Sequence, residues 1–121
     1  MRTVLVRALA PLALMGMIFY LSAQPPTGPD LPEIARVVAH FGEYALLAAL
    51  WSWALAPVLG RRQALVAAAA ISLLYAVSDE YHQSFVEGRE ADPFDVAVDA
   101  VGIAVSLMLA WALITSRRGR E

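Results

Sequence analysis

Four long stretches of apolar residues constrain this sequence more than any other feature. They cover roughly residues 4–22, 37–59, 63–81 and 94–115, each close to the ~20 residues that a helix needs to cross a bilayer. Hydrophobic residues make up 60% of the chain and charged residues 17%, against about 45–50% and 25% in soluble domains. We therefore predict an all-α integral membrane four-helix bundle, two helical hairpins in a single domain over residues 1–121.

The arginines predict how the spans are oriented. All nine basic residues are arginine, and the predicted topology places seven of them on one side of the membrane. These seven lie at the N-terminus, in the short turn after the second span and at the C-terminus: Arg2, Arg7, Arg61, Arg62, Arg117, Arg118 and Arg120. Arginine is enriched in cytoplasmic segments, so we predict that both termini are cytoplasmic. Trp51, Trp53 and Trp111 lie towards the same side and suit interfacial anchoring.

The first span has a second interpretation, a cleaved signal peptide. Arg2 and Arg7 precede a Leu- and Ala-rich core, and Ser22-Ala23 resembles a cleavage site. Leu21 is a poor fit to the small residue preferred before such a site, and the apolar stretch is long for a signal peptide. We favour a retained span, and cleavage remains the alternative.

Polar residues enter the spans at their non-cytoplasmic ends and share helical faces. Ionisable groups within a membrane are costly unless they are paired or hydrated, so they are functional candidates. Residues at helical spacing lie on one face, which gives three stripes: His40, Glu43, Tyr44 and Leu47; Tyr75, Ser78, Asp79 and His82; and Asp92, Asp95, Asp99, Gly102 and Ser106. We expect the acidic stripe of the fourth helix to face its neighbours.

We predict that these stripes line an outward-facing polar cup with Arg89 folded over it. The predicted ligand-binding residues are His40, Glu43, Asp79, Glu80, His82, Gln83, Arg89, Asp95 and Asp99. Each has a structural alternative. His40 is equally suited to a hydrogen bond between helices, and Asp79 and Arg89 to a structural ion pair. Asp92 before Pro93 is expected to cap the fourth helix, and Asp95 suits a capping box. Gly88 is expected to form a turn with positive φ.

The motifs resemble those of one membrane-protein family. Residues 78–89 read SDEYHQSFVEGR and are followed by Asp92, Asp95, Asp99 and Gly102. The first span closes on YLSAQP (residues 20–25) and the second opens on HFGEYA (residues 40–45). In this order, over nearly the whole chain, they resemble the VanZ-like family. This chain has Glu87 where the family usually has proline, and Asp99 where it usually has asparagine.

The resemblance implies a four-helix, multi-pass protein of the bacterial cytoplasmic membrane, within the cell envelope. The family is named for an accessory protein associated with resistance to the glycopeptide antibiotic teicoplanin. No catalytic role follows from the resemblance, and the residues above carry over only as motif positions. It is therefore uncertain from the sequence whether the chain is an enzyme.

Three functions compete. The preferred hypothesis is that the cup binds a lipid-linked wall precursor, a glycopeptide or a partner, with Arg89 contacting phosphate. The alternative is a metal-dependent membrane hydrolase or transferase acting on a lipid headgroup. A proton-coupled transporter comes third, because the cytoplasmic half offers few polar residues for a continuous path.

Cofactors and partners follow from the residue types present. No cofactor is predicted. A divalent metal is the alternative, with ligand candidates His40, Glu43, Asp79, His82 and Asp99. The absence of cysteine excludes disulfides and thiolate chemistry. A net charge of −2 gives no basis for a nucleic-acid partner. Membrane lipid is the expected surrounding partner, and a homo-oligomer is compatible with so small a bundle.

Overall fold

The computed structural model describes residues 1–26 and 28–121. They form four α-helices: α1 (Arg2–Ala23), α2 (Glu33–Leu59), α3 (Arg61–Gln83) and α4 (Pro93–Arg118). These two ranges contain no β-strand. All four helices are long and apolar enough to cross a membrane. The all-α class and the four spans are confirmed, and the chain is a multi-pass membrane protein.

Helix α2 begins earlier than its predicted span, at Glu33 instead of residue 37. Hydropathy marks where a helix enters apolar surroundings, whereas the backbone hydrogen bonds begin at Pro32, whose carbonyl accepts from Ala35 and Arg36. Glu33 in the first turn also interacts favourably with the helix dipole. Arg36 therefore lies on the helix, one turn before His40.

Helices α1 and α2 end next to proline and glycine residues. Helix α1 stops before Pro25, and Gln24 has an extended backbone with φ −77° and ψ 132°, as expected for a residue that precedes proline. Only Gly60 separates α2 from α3. Its φ of 77° is a conformation that glycine adopts without steric cost, so the two helices form a tight hairpin.

Contacts between helices show that they alternate in direction. Arg7, near the start of α1, contacts Trp53 near the end of α2. Ser22, near the end of α1, contacts Gln83 at the end of α3. One end of the bundle, the loop end, therefore carries residues 24–26, 28–32 and 84–92. The opposite end, the terminal end, carries both chain termini and the Gly60 turn.

Helix α2 is the centre of the bundle. It packs against each of the other three helices, while α1 and α4 lie apart on opposite sides of the described structure. Tyr44, Leu47 and Ala48 of α2 are fully buried. Helix α3 buries a small residue at every fourth position: Ala64, Ala68, Ser72 and Ala76. Small residues allow membrane helices to approach closely, so this stripe forms the packing face of α3.

Helices α2 and α4 are in close backbone contact at Gly102. A methyl group placed on Gly102 would lie 2.5 Å from the carbonyl oxygen of Phe41, so only glycine fits at this crossing. One turn further along, the Ser106 hydroxyl donates to the Ala45 carbonyl at 2.7 Å. The crossing fixes the position of the α4 acidic stripe relative to α2.

The outer surface of the bundle is apolar. Leucines and a methionine on three helices are more than 60% exposed: Leu5, Leu9, Leu74, Met108 and Leu113. Continuous exposed apolar surface of this kind favours association in water. Lipid chains solvate it in a bilayer, and this agrees with the membrane assignment.

Arg7 has a structural role beyond its predicted place on the cytoplasmic side of the bundle. Pro57 has no N–H group, so within α2 it cannot donate to the carbonyl four residues earlier, that of Trp53. Arg7 supplies a donor instead, at 3.2 Å, and its guanidinium lies 4.7 Å from the centre of the Trp53 ring. The Trp53 carbonyl, which Pro57 leaves without a partner within α2, is therefore hydrogen-bonded by Arg7 of α1.

Candidate functional site

The loop end of the bundle contains an open cavity of about 760 Å³. Its walls come from the two loops, from the ends of α1 and α3 and from the first turns of α2 and α4. Four of the predicted ligand-binding residues line it: His40, Gln83, Arg89 and Asp95. The loops meet at Gly88, which has the predicted positive φ of 80° and lies close to the Pro26 ring.

His40 of α2 and Asp99 of α4 form a short side-chain hydrogen bond between the two helices. The Nδ1 atom of His40 lies 2.9 Å from Oδ1 of Asp99. The Asp99 side chain is only 1% exposed, whereas that of His40 is 15% exposed and lines the cavity. His40 can therefore both bridge α2 to α4 and line the cavity, because one side of its ring contacts Asp99 and the other side is exposed to the cavity.

Asp95 and Arg36 form a looser ion pair beside His40. Their side chains approach to 3.8 Å, longer than the ~2.7–2.9 Å of a good charge-assisted hydrogen bond. Asp95 is nearly buried, Arg36 is exposed, and both line the cavity. The pair is therefore weaker than a direct charge-assisted hydrogen bond.

Asp79 lies in a buried polar network beneath the cavity. Its Oδ2 atom accepts from the Tyr44 hydroxyl at 3.3 Å and from the Gln83 amide at 3.5 Å. The same amide donates to the Ser22 hydroxyl at 3.3 Å, which joins α1 to α3. The Oδ1 atom of Asp79 is buried and has no partner among the residues described. Asp79 therefore contributes to helix packing and is not part of the cavity wall.

Glu80 holds the start of α4. Its carboxylate accepts from the Asp92 backbone N–H at 2.6 Å. Asp92 is the N-cap of α4, and its side chain accepts from the Phe94 N–H at 2.9 Å. The predicted capping role of Asp92, followed by Pro93, is confirmed. The contact gives Glu80 a structural role at a position where we predicted ligand binding.

Arg89 caps the end of α1. Its Nε donates to the Gln24 carbonyl at 2.7 Å, and Nη2 donates to the Leu21 carbonyl at 3.1 Å. Basic side chains at helix C-termini satisfy carbonyls that the helix leaves unpaired. The contact ties the α3–α4 loop to α1. No ion pair with Asp79 forms in the described structure, so that structural alternative is wrong.

Glu43 and His82 lie outside the lining of the cavity. The His82 ring stacks on Phe19 at 4.5 Å, and its buried Nδ1 has no described partner. Ser78 is exposed, although we predicted it on the inward stripe of α3. The buried face of α3 instead runs through Ala76, Asp79, Glu80 and Gln83, so the predicted stripe is rotated away from the true interface.

The candidate metal ligands do not converge. Within the described residues, no group of three or more His, Asp or Glu side chains is arranged to hold a metal ion. Asp99 is paired with His40, Asp79 with Tyr44 and Gln83, and His82 packs on Phe19. The geometry therefore gives no support to metal-assisted chemistry at this set of residues.

Sequence reasoning missed several residues of the cavity. Arg36, Asp30, Glu33 and Glu90 all line it, yet none was among the predicted site residues. For Arg36 a signal was available, because it is one helical turn before His40 and one of only two arginines at this end. The loop residues offered no such signal. Ligand binding by the nine predicted residues stays a prediction.

Comparison with known proteins gives one match. A family model described as VanZ/LLP1 matches residues 8–115 of the 121-residue chain. No curated protein and no solved structure matches the chain. The matched region includes all of α2 and α3, most of α1 and α4, and every residue of the loop-end cavity.

Proposed function

We propose that the loop-end cavity binds an amphiphile whose headgroup carries both a positive and a negative group. The chain belongs to the VanZ/LLP1 family. The observation that carries this proposal is the mixed charge of the lining. Four carboxylates and two guanidiniums face the same space: Asp30, Glu33, Glu90 and Asp95, with Arg36 and Arg89.

The two signs suit two parts of one ligand. A guanidinium matches the geometry of a phosphate or carboxylate, and clustered carboxylates attract an ammonium group. A purely anionic ligand would meet more negative than positive groups, so it would bind less well. Because the Arg36–Asp95 pair is held at 3.8 Å and not by a short hydrogen bond, a ligand has only a weak contact to replace at these two residues.

The remaining wall suits the apolar part of such a ligand. Leu21, Leu31 and the prolines of the α1–α2 loop line the cavity, and the two leucines are 48% and 76% exposed. When the headgroup is bound here, the acyl chains of the ligand would lie beside the apolar surface of the bundle. Aminophospholipids, lipid-linked wall precursors and glycopeptides such as teicoplanin all fall within the ligand class we propose.

Asp95→Asn is expected to weaken binding of a phosphoethanolamine lipid by about tenfold, which corresponds to about 1.4 kcal/mol. The substitution removes the most buried negative charge of the cavity and keeps the side-chain shape. Titration of the purified protein in neutral detergent with a short-chain lipid, read by native mass spectrometry, measures the change. Glu87→Gln is the matched control, because Glu87 lies at the same end of the bundle but does not line the cavity. Equal affinity in both variants would count against the proposal.

We also propose that the protein lies in the bacterial cytoplasmic membrane with both termini cytoplasmic, so that the cavity opens outwards. The seven arginines of the terminal end support this orientation. The chain has no cysteine, so Glu87→Cys and Gly119→Cys each introduce one reporter thiol. A membrane-impermeant maleimide added to intact cells is expected to label only Glu87→Cys. Labelling of Gly119→Cys alone would reverse the orientation.

A second function is favoured by the His40–Asp99 geometry. The carboxylate accepts the Nδ1 proton, and Nε2 is neither hydrogen-bonded nor enclosed within the described structure. Nε2 is thus able to take the proton of a water molecule as its oxygen adds to the carbonyl carbon of an ester in the bound amphiphile. The proton then passes to the alkoxide as the carbon–oxygen bond breaks, giving an acid and an alcohol.

Product release separates binding from hydrolysis. Several molecules of fatty acid released per protein, lost in His40→Asn, would establish the second function, because asparagine keeps a donor towards Asp99 but removes the base. Saturable binding without product would support the binding function and not hydrolysis.

We do not propose transport, because the buried polar side chains described lie at the loop end, apart from Ser72, and leave no polar path to the terminal end.

A further inference from the structure

The terminal end of the bundle carries an unusually unbalanced charge. Seven arginines lie there, and Glu121 is the only acidic residue at that end. None of the seven forms an ion pair with a carboxylate in the described structure, where the salt bridges are those of Arg36 and His40. This positive charge therefore has to be balanced by anions from outside the chain.

One of these arginines lines a cavity. A space of about 160 Å³ lies between the end of α2, the start of α3 and the end of α4. Arg61 and Ser52 give it polar groups, and Ala56, Leu65, Ala110 and Ile114 give it apolar walls. A polar edge next to an apolar wall matches a lipid phosphate with its attached chain.

The neighbouring arginines, unlike Arg61, already contact other groups of the protein. Arg7 donates to the Trp53 carbonyl, and the Arg62 guanidinium lies 6.0 Å from the centre of the Trp111 ring. Arg61 has no side-chain hydrogen bond, ion pair or aromatic contact within the described residues. Its donors are therefore available to a ligand, and the positive potential of Arg7 and Arg62 adds to its own.

We propose that this cavity is a binding site for the phosphate group of an anionic membrane lipid. Arg61 contacts the phosphate, Ser52 and Trp53 border it, and the acyl chain lies along Leu65 and Ile114. Basic pockets between transmembrane helices recognise anionic headgroups in this way. The site is separate from the loop-end cavity, at the opposite end of the bundle, and does not depend on its function.

The test compares two single-arginine variants of the full chain in neutral detergent. Binding of phosphatidylglycerol, followed by native mass spectrometry, is expected to weaken about fivefold or more in Arg61→Gln and to change little in Arg118→Gln. Both variants lose one positive charge at the same end, but only Arg61 lines the cavity. Equal weakening in the two variants would show diffuse surface attraction and overturn the site.

Two further experiments distinguish binding in the cavity from general charge attraction, and binding of a lipid from binding of a free anion. Ala110→Leu narrows the cavity and keeps every charge, so it is expected to weaken phosphatidylglycerol binding as well; unchanged binding would contradict the proposal. Inorganic phosphate and phosphatidylcholine are expected to stabilise the protein much less than phosphatidylglycerol in thermal unfolding. Equal stabilisation by inorganic phosphate would assign the site to a free anion instead of a lipid.

Discussion

Replacement of His40 with alanine is expected to lower the free energy of unfolding by about 3 kcal/mol. The substitution leaves Asp99, whose side chain is 1% exposed, without the partner that lies 2.9 Å away. Removal of one member of a buried pair typically costs about 3–5 kcal/mol, because the remaining charge is buried and unpaired. Unfolding by a denaturing detergent, followed by circular dichroism, measures the loss.

A second substitution identifies the cause. In the double variant with His40→Ala and Asp99→Asn, the residue left behind is a neutral amide, which costs less to bury than a carboxylate. The double variant is therefore expected to be more stable than His40→Ala alone. Asp99→Asn alone keeps an oxygen that accepts the Nδ1 proton, and the resemblance gives asparagine as the usual family residue there. Equal losses in the single and double His40 variants would refute a role for the buried charge.

Gly102→Ala is expected to destabilise the protein by about 1–3 kcal/mol relative to Gly42→Ala. The new methyl group would lie 2.5 Å from the Phe41 carbonyl oxygen, and backbone on both sides leaves no flexible side chain to yield. Helices α2 and α4 must separate, which strains the His40–Asp99 and Ser106–Ala45 contacts. The difference in unfolding free energy between the two variants is the quantity to measure.

Gly42 is a matched control for this crossing. It lies on α2 beside Phe41, and an added methyl group there meets nothing within 4 Å. Both glycines are in helix interiors, so each alanine substitution gains the same helix propensity, about 1 kcal/mol. The difference in unfolding free energy between the two variants cancels this gain and leaves the steric cost at Gly102. Similar stabilities for the two variants would mean that α2 and α4 do not cross at Gly102.

The helices and their ends could be predicted because the signals are local. Apolar length predicted the four spans, and Asp92-Pro93 predicted the cap of α4. Each depends on residues close together in the chain. The inward acidic stripe of α4 was also correct, since Asp95, Asp99 and Gly102 are all buried.

The arrangement between helices could not be predicted in the same way. Periodicity shows which residues share a face, but it does not show how far each helix is rotated against its neighbours. An α-helix turns about 100° per residue, so a one-residue error exchanged Ser78 for Glu80 on the buried face of α3. The contact of Arg89 with Leu21 and Gln24 joins residues 65 or more positions apart, and no local signal predicts it.

The two ends of the bundle differ in chemistry for a reason that the packing explains. At the loop end, the glycine crossing brings the α4 carboxylates against α2, where Arg36 pairs with Asp95 and His40 forms a hydrogen bond with Asp99. The remaining carboxylates and Arg89 face an open space. The central claim is that this mixed-charge space recognises a headgroup of both signs.

The most direct test is the affinity of the purified protein for three lipids with identical short chains and different headgroups. Phosphoethanolamine carries both charges and N–H donors, phosphocholine carries both charges without those donors, and phosphoglycerol carries only the negative charge. The proposal predicts the tightest binding for phosphoethanolamine, and loss of this preference in Asp95→Asn. Equal affinities, or tightest binding of phosphoglycerol that Asp95→Asn leaves unchanged, would contradict it.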